Sequence, residues 1–183
     1  MSYELALKKA WEDLVNQNLP KNLSVKFMGD EYSLDISSRR IFSVSCNTPA
    51  KDFLSILILH YLARKLKGLP RQSGRWLTFR EFSGIEGYYG AYHQRAIEPL
   101  IRKYGKNPDA LKDVLSRLPG RLSQGGDVSI IIEAFENVPL LIKLWKADAE
   151  FGPDANIYFD ASIKDIFCIE DIIVLAQMIS SQL

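Results

Sequence analysis

The sequence contains few residues of the types that hold metal ions or form disulfide frameworks. Its 183 residues include two cysteines, Cys46 and Cys168, and two histidines. A structural metal centre or cluster needs about four ligands of the thiolate or histidine type, and two thiols make at most one bridge. We therefore expect no metal site, and two reduced thiols in a cytoplasmic protein.

An excess of one charge is also missing. Twenty-three basic residues stand against twenty-two acidic ones, for a formal net charge of +1, and no long block of one sign occurs. Binding to DNA or RNA normally requires a concentrated basic surface that neutralises phosphates. The charge balance therefore argues against a nucleic-acid partner.

Long apolar runs are absent as well. The most apolar stretch runs from Phe53 to Leu62 and contains His60, whereas a membrane-spanning helix needs about 20 apolar residues. The first residues, Met1 to Leu14, mix charges into every turn and offer no apolar signal-peptide core. We expect no membrane association, and we interpret Phe53 to Leu62 as a buried helix.

The spacing of apolar residues predicts one α+β domain that covers residues 1–183. Apolar side chains three and four residues apart predict a first helix from Tyr3 to near Asn18. Alternating apolar and polar residues then predict a first group of three short strands. Three later runs predict a second group, and since the first two are rich in isoleucine and leucine on both faces, we expect helices to cover that sheet. The predicted strands are Leu23–Phe27, Tyr32–Ile36 and Ile41–Val44, then Val128–Phe135, Leu140–Lys146 and Asn156–Ala161.

A helix between the two strand groups is expected to be the central element. Thr48-Pro49 is a typical helix start, and Gly68 is a typical stop after Lys67. The helix is apolar on nearly every side, so it packs on more than one face. We therefore expect two small, mostly antiparallel strand groups, or one mixed sheet, around this helix and flanking helices. Inside it, His60 is interpreted as a hydrogen-bonded core residue rather than a ligand.

The rest of the chain is predicted from turn and capping residues. The pattern from Trp76 to Phe82 predicts an extended segment, and Ser83 to Gly90 is predicted to be a glycine loop. Ala91 to Tyr104 is predicted to be a helix that restarts near Glu98, because Pro99 lacks an N–H group. Two further helices are predicted, one starting at Asn107-Pro108 and the last at about Ile169.

The segment from Ser73 to Tyr104 contains the best candidate site. Arginine can donate two hydrogen bonds to one carboxylate, tyrosine offers a flat face with a polar tip, and histidine titrates near neutral pH. Together such residues could bind an acidic, planar small molecule. The alternative is that Arg80 and Glu81 form a solvated pair and the tyrosines are half-buried packing residues. The candidate ligand-binding residues are Arg75, Trp76, Arg80, Glu81, Tyr88, Tyr89, His93 and Arg95, with Tyr92 among them in the sequence.

Glycines in this segment suggest a weaker hypothesis, an anion-binding loop. Gly84, Gly87 and Gly90 precede a helix, where free N–H groups can meet an anion. Neither the dinucleotide-binding nor the P-loop spacing is present, so a turn that needs positive φ is the alternative.

Two smaller candidates lie near the C-terminus. Cys168 precedes the last helix, whose dipole would favour a reactive thiolate, although a buried and inert thiol is the alternative. Asp148, Glu150 and Asp154 could suggest calcium, but the EF-hand glycine and closing glutamate are missing, so we interpret them as an acidic hairpin loop.

Four segments of the chain resemble one known family. They are Tyr3–Trp11, Ser73–Glu81, Ala96–Gly105 and Gly126–Asp160, and they are similar to an uncharacterised family of prokaryotic domains of unknown function, family 3786. The resemblance implies an origin in anaerobic bacteria or archaea. Some longer relatives carry a cysteine-rich segment and are labelled iron-sulfur proteins. No cysteine precedes Tyr3 here, so we expect no cofactor, and the family offers no catalytic residue to transfer.

Three functional hypotheses follow. The first is an accessory domain that binds a small acidic molecule or a protein partner, linked to anaerobic redox or corrinoid metabolism. The second is an enzyme that uses His93 or Glu81 as acid or base. The third is a structural subunit that docks a partner on an exposed patch of Trp76, Phe79 and Phe82. The sequence does not determine the oligomeric state.

Overall fold

A computed structural model describes residues 3–17, 19–20 and 23–183 of the protein. Within these ranges the chain forms five α-helices, several short 3₁₀ turns and eight strands in two antiparallel sheets, which confirms the α+β class. The described strands form two sheets rather than one mixed sheet. The helices are α1 (Tyr3–Val15), α2 (Asp52–Lys67), α3 (Tyr89–Tyr92), α4 (Glu98–Tyr104) and α5 (Ile169–Gln182). The strands are β1 (Leu23–Phe27), β2 (Asp30–Asp35), β3 (Arg40–Ser43), β4 (Trp76–Thr78), β5 (Gly120–Leu122), β6 (Val128–Phe135), β7 (Val138–Trp145) and β8 (Asp154–Asp160).

The smaller sheet has the order β1-β2-β3 and follows the predicted alternation. Leu34 in the middle strand lies opposite Leu23 on one side and Ile41 on the other. In β1, every second side chain is buried and the others are exposed. Strands with one buried and one solvent-exposed face can be recognised from the alternation of apolar and polar residues alone, so all three strands were predicted from the sequence.

The larger sheet has the order β4-β8-β7-β6-β5. Nearly every residue of β6 and β7 is buried, so both faces of these strands are covered. The predicted strand triplet is confirmed within one or two residues. Edge strand β5, Gly120–Leu122, was not predicted, because its three residues are all exposed and show no alternation.

Helix α2 is the central element, as expected. Leu57, Ile58, Leu59 and Tyr61 are at most 1% exposed. The Tyr61 ring stacks on Phe135 of β6, with ring centroids 4.4 Å apart. The apolar character of the whole helix is therefore explained by contacts on several sides.

The predicted start of α2 was wrong. The helix begins at Asp52, whereas Pro49 forms an extended bridge with Phe42 of β3. The Ala50 N–H donates to the Ile41 carbonyl at 2.8 Å, which holds this stretch alongside the sheet. Proline fixes φ at a value that suits extended chain as well as a first helical turn. The predicted stop is confirmed, since Gly68 follows α2 with φ +101°.

Pro99 shapes the helical stretch from Tyr89 to Tyr104. Between α3 and α4 the residues His93–Ile97 form a π-helical turn, in which the Glu98 N–H donates to the His93 carbonyl. Because Pro99 has no N–H, the α-helical bond at that position cannot form, and α4 restarts at Glu98 as predicted.

Of the three other predicted helices, one is confirmed and two differ in detail. The stretch that starts at Asn107-Pro108 is a 3₁₀ helix, Pro108–Ser116, and the last helix is confirmed as α5. The first helix ends at Val15, and its expected end near Asn18 lies outside the described residues.

In the described part of the chain, no helix combines the length and apolar character that crossing a bilayer demands.

Candidate functional site

The site begins where β4 turns away from the sheet. The predicted extension to Phe82 was wrong beyond Thr78, because Phe79–Glu81 form a 3₁₀ turn. The Glu81 carboxylate accepts hydrogen bonds from the Thr78 N–H (2.7 Å) and hydroxyl (2.9 Å), which is a capping box. These bonds lower the pKa of Glu81. The sequence Thr-Phe-Arg-Glu carries this capping signal and could have ended the predicted strand.

A polar cleft of about 250 Å³ lies between this turn, the helical stretch that follows and strand β8. We call it the Arg80 cleft. Its polar lining includes three residues singled out from the sequence, Arg80, Tyr89 and His93. It also includes Tyr92, Asp154 and Asn156.

Arg80 is held by its aromatic neighbour. The guanidinium carbon lies 4.2 Å from the centre of the Tyr89 ring. Within the described residues, the Arg80 guanidinium forms no ion pair with a carboxylate, so the expected solvated pair with Glu81 is not formed. A guanidinium stacked on a ring keeps its N–H edges available for a carboxylate.

His93 stands on the π-helical turn. Its Nδ1 lies 3.4 Å from Glu98 Oε1, and its ring centroid is 6.1 Å from that of Tyr89. The π turn places a residue five positions away next to the imidazole. Such turns are frequent at functional sites.

Tyr92 carries the most informative group of the cleft. The residue is 1% exposed, and its ring stacks on Phe79 with centroids 4.0 Å apart. Its hydroxyl is buried and has no hydrogen-bond partner among the residues that the structure describes. Burial raises the pKa of Tyr92, so the group stays a neutral donor. A buried polar group without a partner costs roughly 1–3 kcal/mol, and such groups are rare in folded proteins.

Strand β8 supplies the opposite wall with Asp154 and Asn156. No motif in the sequence joins these two residues to Arg80, because the pairing of β4 with β8 brings the two segments together. The sequence pattern indicates only that Asp154 belongs to an acidic hairpin loop. In that loop, Asp148 accepts hydrogen bonds from the backbone N–H groups of Glu150 and Phe151 at 2.8 and 2.7 Å. Asp148 therefore stabilises the loop itself.

The other predicted site residues lie outside the lining of the cleft. Arg75 and Arg95 are exposed, and Trp76 is half-buried on β4. Glu81 caps its own turn, as described above. The Tyr88 hydroxyl donates to Glu170 Oε1 at 2.7 Å, which places Tyr88 beside α5.

The glycine loop does not form an anion cradle at the cleft. Gly84 has φ +77°, which agrees with the interpretation of a turn that needs positive φ. A Cβ atom added at Gly84, Gly87 or Gly90 would meet nothing within 4 Å. These glycines are therefore not explained by a close backbone approach.

The prediction of an exposed patch of Trp76, Phe79 and Phe82 was wrong. Phe79 is 1% exposed and Phe82 is 8% exposed. Phe82 packs edge-on against Phe159 of β8, with centroids 5.7 Å apart. The 3₁₀ turn directs both rings into the core, so this patch cannot dock a partner.

A second cluster of titratable side chains joins α2 to α5. His60 Nδ1 lies 2.8 Å from Asp171 Oδ2, so the predicted hydrogen bond is confirmed, but the His60 side chain is 34% exposed and is not a core residue. The hydrogen bond with Asp171 raises the pKa of His60, against the opposite effect of burial. Cys168 precedes α5 as an exposed residue, so the expected burial of this residue is wrong. Desolvation of its sulfur by nearby atoms and the Asp171 carboxylate raise the pKa of the thiol to about 12, which favours an inert thiol over a reactive thiolate.

Comparison with known proteins identifies a family. The family model described as Domain of unknown function (DUF3786) matches residues 10–182 of the chain. No curated protein matches the chain. No solved structure matches it either. The match covers nearly the whole sequence and confirms the family expected from the four segments.

Proposed function

We propose that this chain, which belongs to the DUF3786 family, binds a small planar carboxylic acid in the Arg80 cleft. The observation that carries the proposal is that Arg80 and Tyr92 line the same cleft, and that the buried Tyr92 hydroxyl lacks a partner within the described residues. Buried polar groups in folded proteins are normally paired. A ligand oxygen would supply the missing partner.

The charge of the cleft supports an acid as ligand. Arg80 contributes a full positive charge and can donate two parallel hydrogen bonds to one carboxylate. Its stacking on Tyr89 at 4.2 Å limits the side-chain freedom that binding would otherwise remove. His93 adds a second donor when it is protonated.

The opposite wall restricts the ligand further. Asp154 can accept hydrogen bonds, and Asn156 can both donate and accept them. A bare carboxylate near Asp154 would be repelled, whereas a hydroxyl or amino group there would donate to it. The cleft of about 250 Å³ has room for a single substituted ring. We therefore assign the ligand to hydroxy- or amino-substituted aromatic acids.

Isothermal titration with 4-hydroxybenzoate tests this assignment. We expect the Arg80→Ala variant to bind at least tenfold more weakly than the unaltered protein, because charge-assisted hydrogen bonds are the strong ones. His93→Ala is expected to lose several-fold. Arg95→Ala is the matched control, since Arg95 is exposed and not part of the cleft lining. The proposal would be overturned if the unaltered protein did not bind 4-hydroxybenzoate. It would also be overturned if Arg80→Ala and His93→Ala both bound it as tightly as the unaltered protein does.

A binding role is favoured over acid-base catalysis by His93 and Glu81. The Glu81 carboxylate already accepts two hydrogen bonds from Thr78, and it is not part of the cleft lining. A general base must reach the proton that it removes. The arrangement of the cleft thus supports an accessory binding domain.

The wider setting of this role rests on the sequence resemblance. We place the domain in the cytoplasm of anaerobic prokaryotes, as an accessory to redox or corrinoid-linked metabolism. Since the chain has two cysteines, it cannot by itself supply four thiolates to an iron-sulfur cluster. Purified protein from anaerobic cells should therefore lack the visible absorption of an iron-sulfur cluster, and a cluster spectrum from this chain alone would contradict this expectation.

A further inference from the structure

A second cavity lies on the α1, α2 and α5 side of the molecule. Its volume is about 540 Å³, within the range of roughly 300–1,000 Å³ that is typical of small-molecule sites. Ala6, Phe53, Ile56 and Val174 supply apolar walls. We call this cavity the His60 groove.

One histidine supplies a fixed polar group in this groove. His60 lines the groove, and its Nδ1 is 2.8 Å from Asp171 Oδ2. Asp171 is 6% exposed, and its carboxylate also accepts from the Cys168 N–H at 3.4 Å. A buried carboxylate held in this way orients the imidazole and favours its protonated form. The second ring nitrogen, Nε2, has no hydrogen-bond partner in the described ranges, and it is a donor when the imidazole is protonated.

The charges of the residues that line the groove cancel when His60 is protonated. Lys9 and Glu170 both line it and carry opposite signs, while the Asp171 carboxylate balances a protonated His60. Glu170 is in addition engaged by the Tyr88 hydroxyl at 2.7 Å. With no net charge to neutralise, the groove has no reason to select an ion over a neutral molecule.

We propose that the His60 groove is a second ligand site, which binds an uncharged apolar molecule with one oxygen acceptor, such as a phenyl ketone. The apolar walls hold the hydrocarbon part, and the His60 Nε2–H donates to the carbonyl oxygen. Asp171 acts as a positioning residue, because it holds the imidazole without contacting the ligand. The site is independent of the Arg80 cleft.

The experiment is an NMR titration of isotope-labelled protein with 4-phenylbutan-2-one. We expect the largest shift changes at Phe53, Ile56 and Val174. His60→Phe keeps a ring but removes the donor, and we expect binding to weaken about three- to tenfold, the value of one ordinary hydrogen bond. His93→Phe is the matched control and should bind the ketone as the unaltered protein does.

Two further measurements keep the test decisive if His60→Phe folds poorly. Val174→Trp fills the groove while leaving His60 and Asp171 in place, and it should abolish binding of the ketone. The charged analogues 3-phenylpropanoate and 3-phenylpropylamine should both bind more weakly than the ketone. Tighter binding of either analogue, unchanged binding by Val174→Trp, or shift changes centred on Tyr89 and His93 would overturn the proposal.

Discussion

The two histidines show how differently the two cavities are built. In the His60 groove, His60 is paired at 2.8 Å with Asp171, whose side chain is 9% exposed, and the pair joins two helices. In the Arg80 cleft, His93 lies 3.4 Å from Glu98, whose side chain is 58% exposed, and both belong to one helical stretch. A buried pair ties elements together, whereas a surface pair contributes little.

The buried polar groups of the two cavities differ in the same way. Asp171 is satisfied within the fold, whereas the Tyr92 hydroxyl lacks a partner in the described part of the chain. The groove therefore stabilises the protein before any ligand arrives. The cleft instead contains a buried hydroxyl whose hydrogen bond is unmet within the described residues.

The largest expected effect comes from removing Asp171, the carboxylate partner of His60. Asp171→Ala should lower the free energy of unfolding by about 2 kcal/mol, since it leaves a half-buried imidazole unpaired. Glu98→Ala is the matched change in the cleft and should stay within about 0.5 kcal/mol. Urea denaturation measures both variants. Equal losses would remove the distinction between the two pairs.

The pH dependence of stability should follow His60. Because its pKa is raised in the folded state by Asp171, the stabilisation by the pair is complete below the unfolded value near 6.5 and is lost as pH rises through the folded pKa. Lys9 opposes and Asp13 supports the protonated form from α1. NMR titration should give His60 a higher pKa in the unaltered protein than in Asp171→Asn. An unchanged His60 pKa in that variant would contradict the assignment.

Tyr92→Phe should raise stability and weaken ligand binding. Loss of an unpaired buried hydroxyl is expected to increase the free energy of unfolding by about 1 kcal/mol. Tyr104→Phe provides a control of opposite sign, because the Tyr104 hydroxyl is buried and donates to the Leu183 carbonyl. Thermal denaturation and titration with 4-hydroxybenzoate measure both effects. A destabilised Tyr92→Phe would mean that the hydroxyl already has a partner.

The smallest expected effect concerns the thiol beside the groove. With its pKa raised to about 12, Cys168 should react with iodoacetamide at pH 8 at least tenfold more slowly than in urea-unfolded protein. Asp171→Asn should speed the reaction a few-fold, because it removes a nearby negative charge. Mass spectrometry of the alkylated peptide follows the rate. A fast reaction in the folded protein would favour the reactive thiolate instead.

The sequence predicted what depends on neighbours along the chain. The strands β1 to β3 and the body of α2 follow local apolar spacing, and Arg80, Tyr89 and His93 lie within one short segment. Contacts between distant segments could not be predicted. His60 and Asp171 are 111 residues apart, and Asn156 reaches the cleft only through pairing of β8 with β4. The spacing of apolar residues within one segment does not show which distant segment it will contact, unless a known motif links the two segments.

A crystal structure of the protein with 4-hydroxybenzoate tests the central claim most directly. The account predicts the carboxylate in a forked contact with Arg80, and a ligand oxygen within about 3 Å of the Tyr92 hydroxyl, a normal hydrogen-bond distance. An acid bound elsewhere on the molecule, or one that leaves the Tyr92 hydroxyl unpaired, would contradict it.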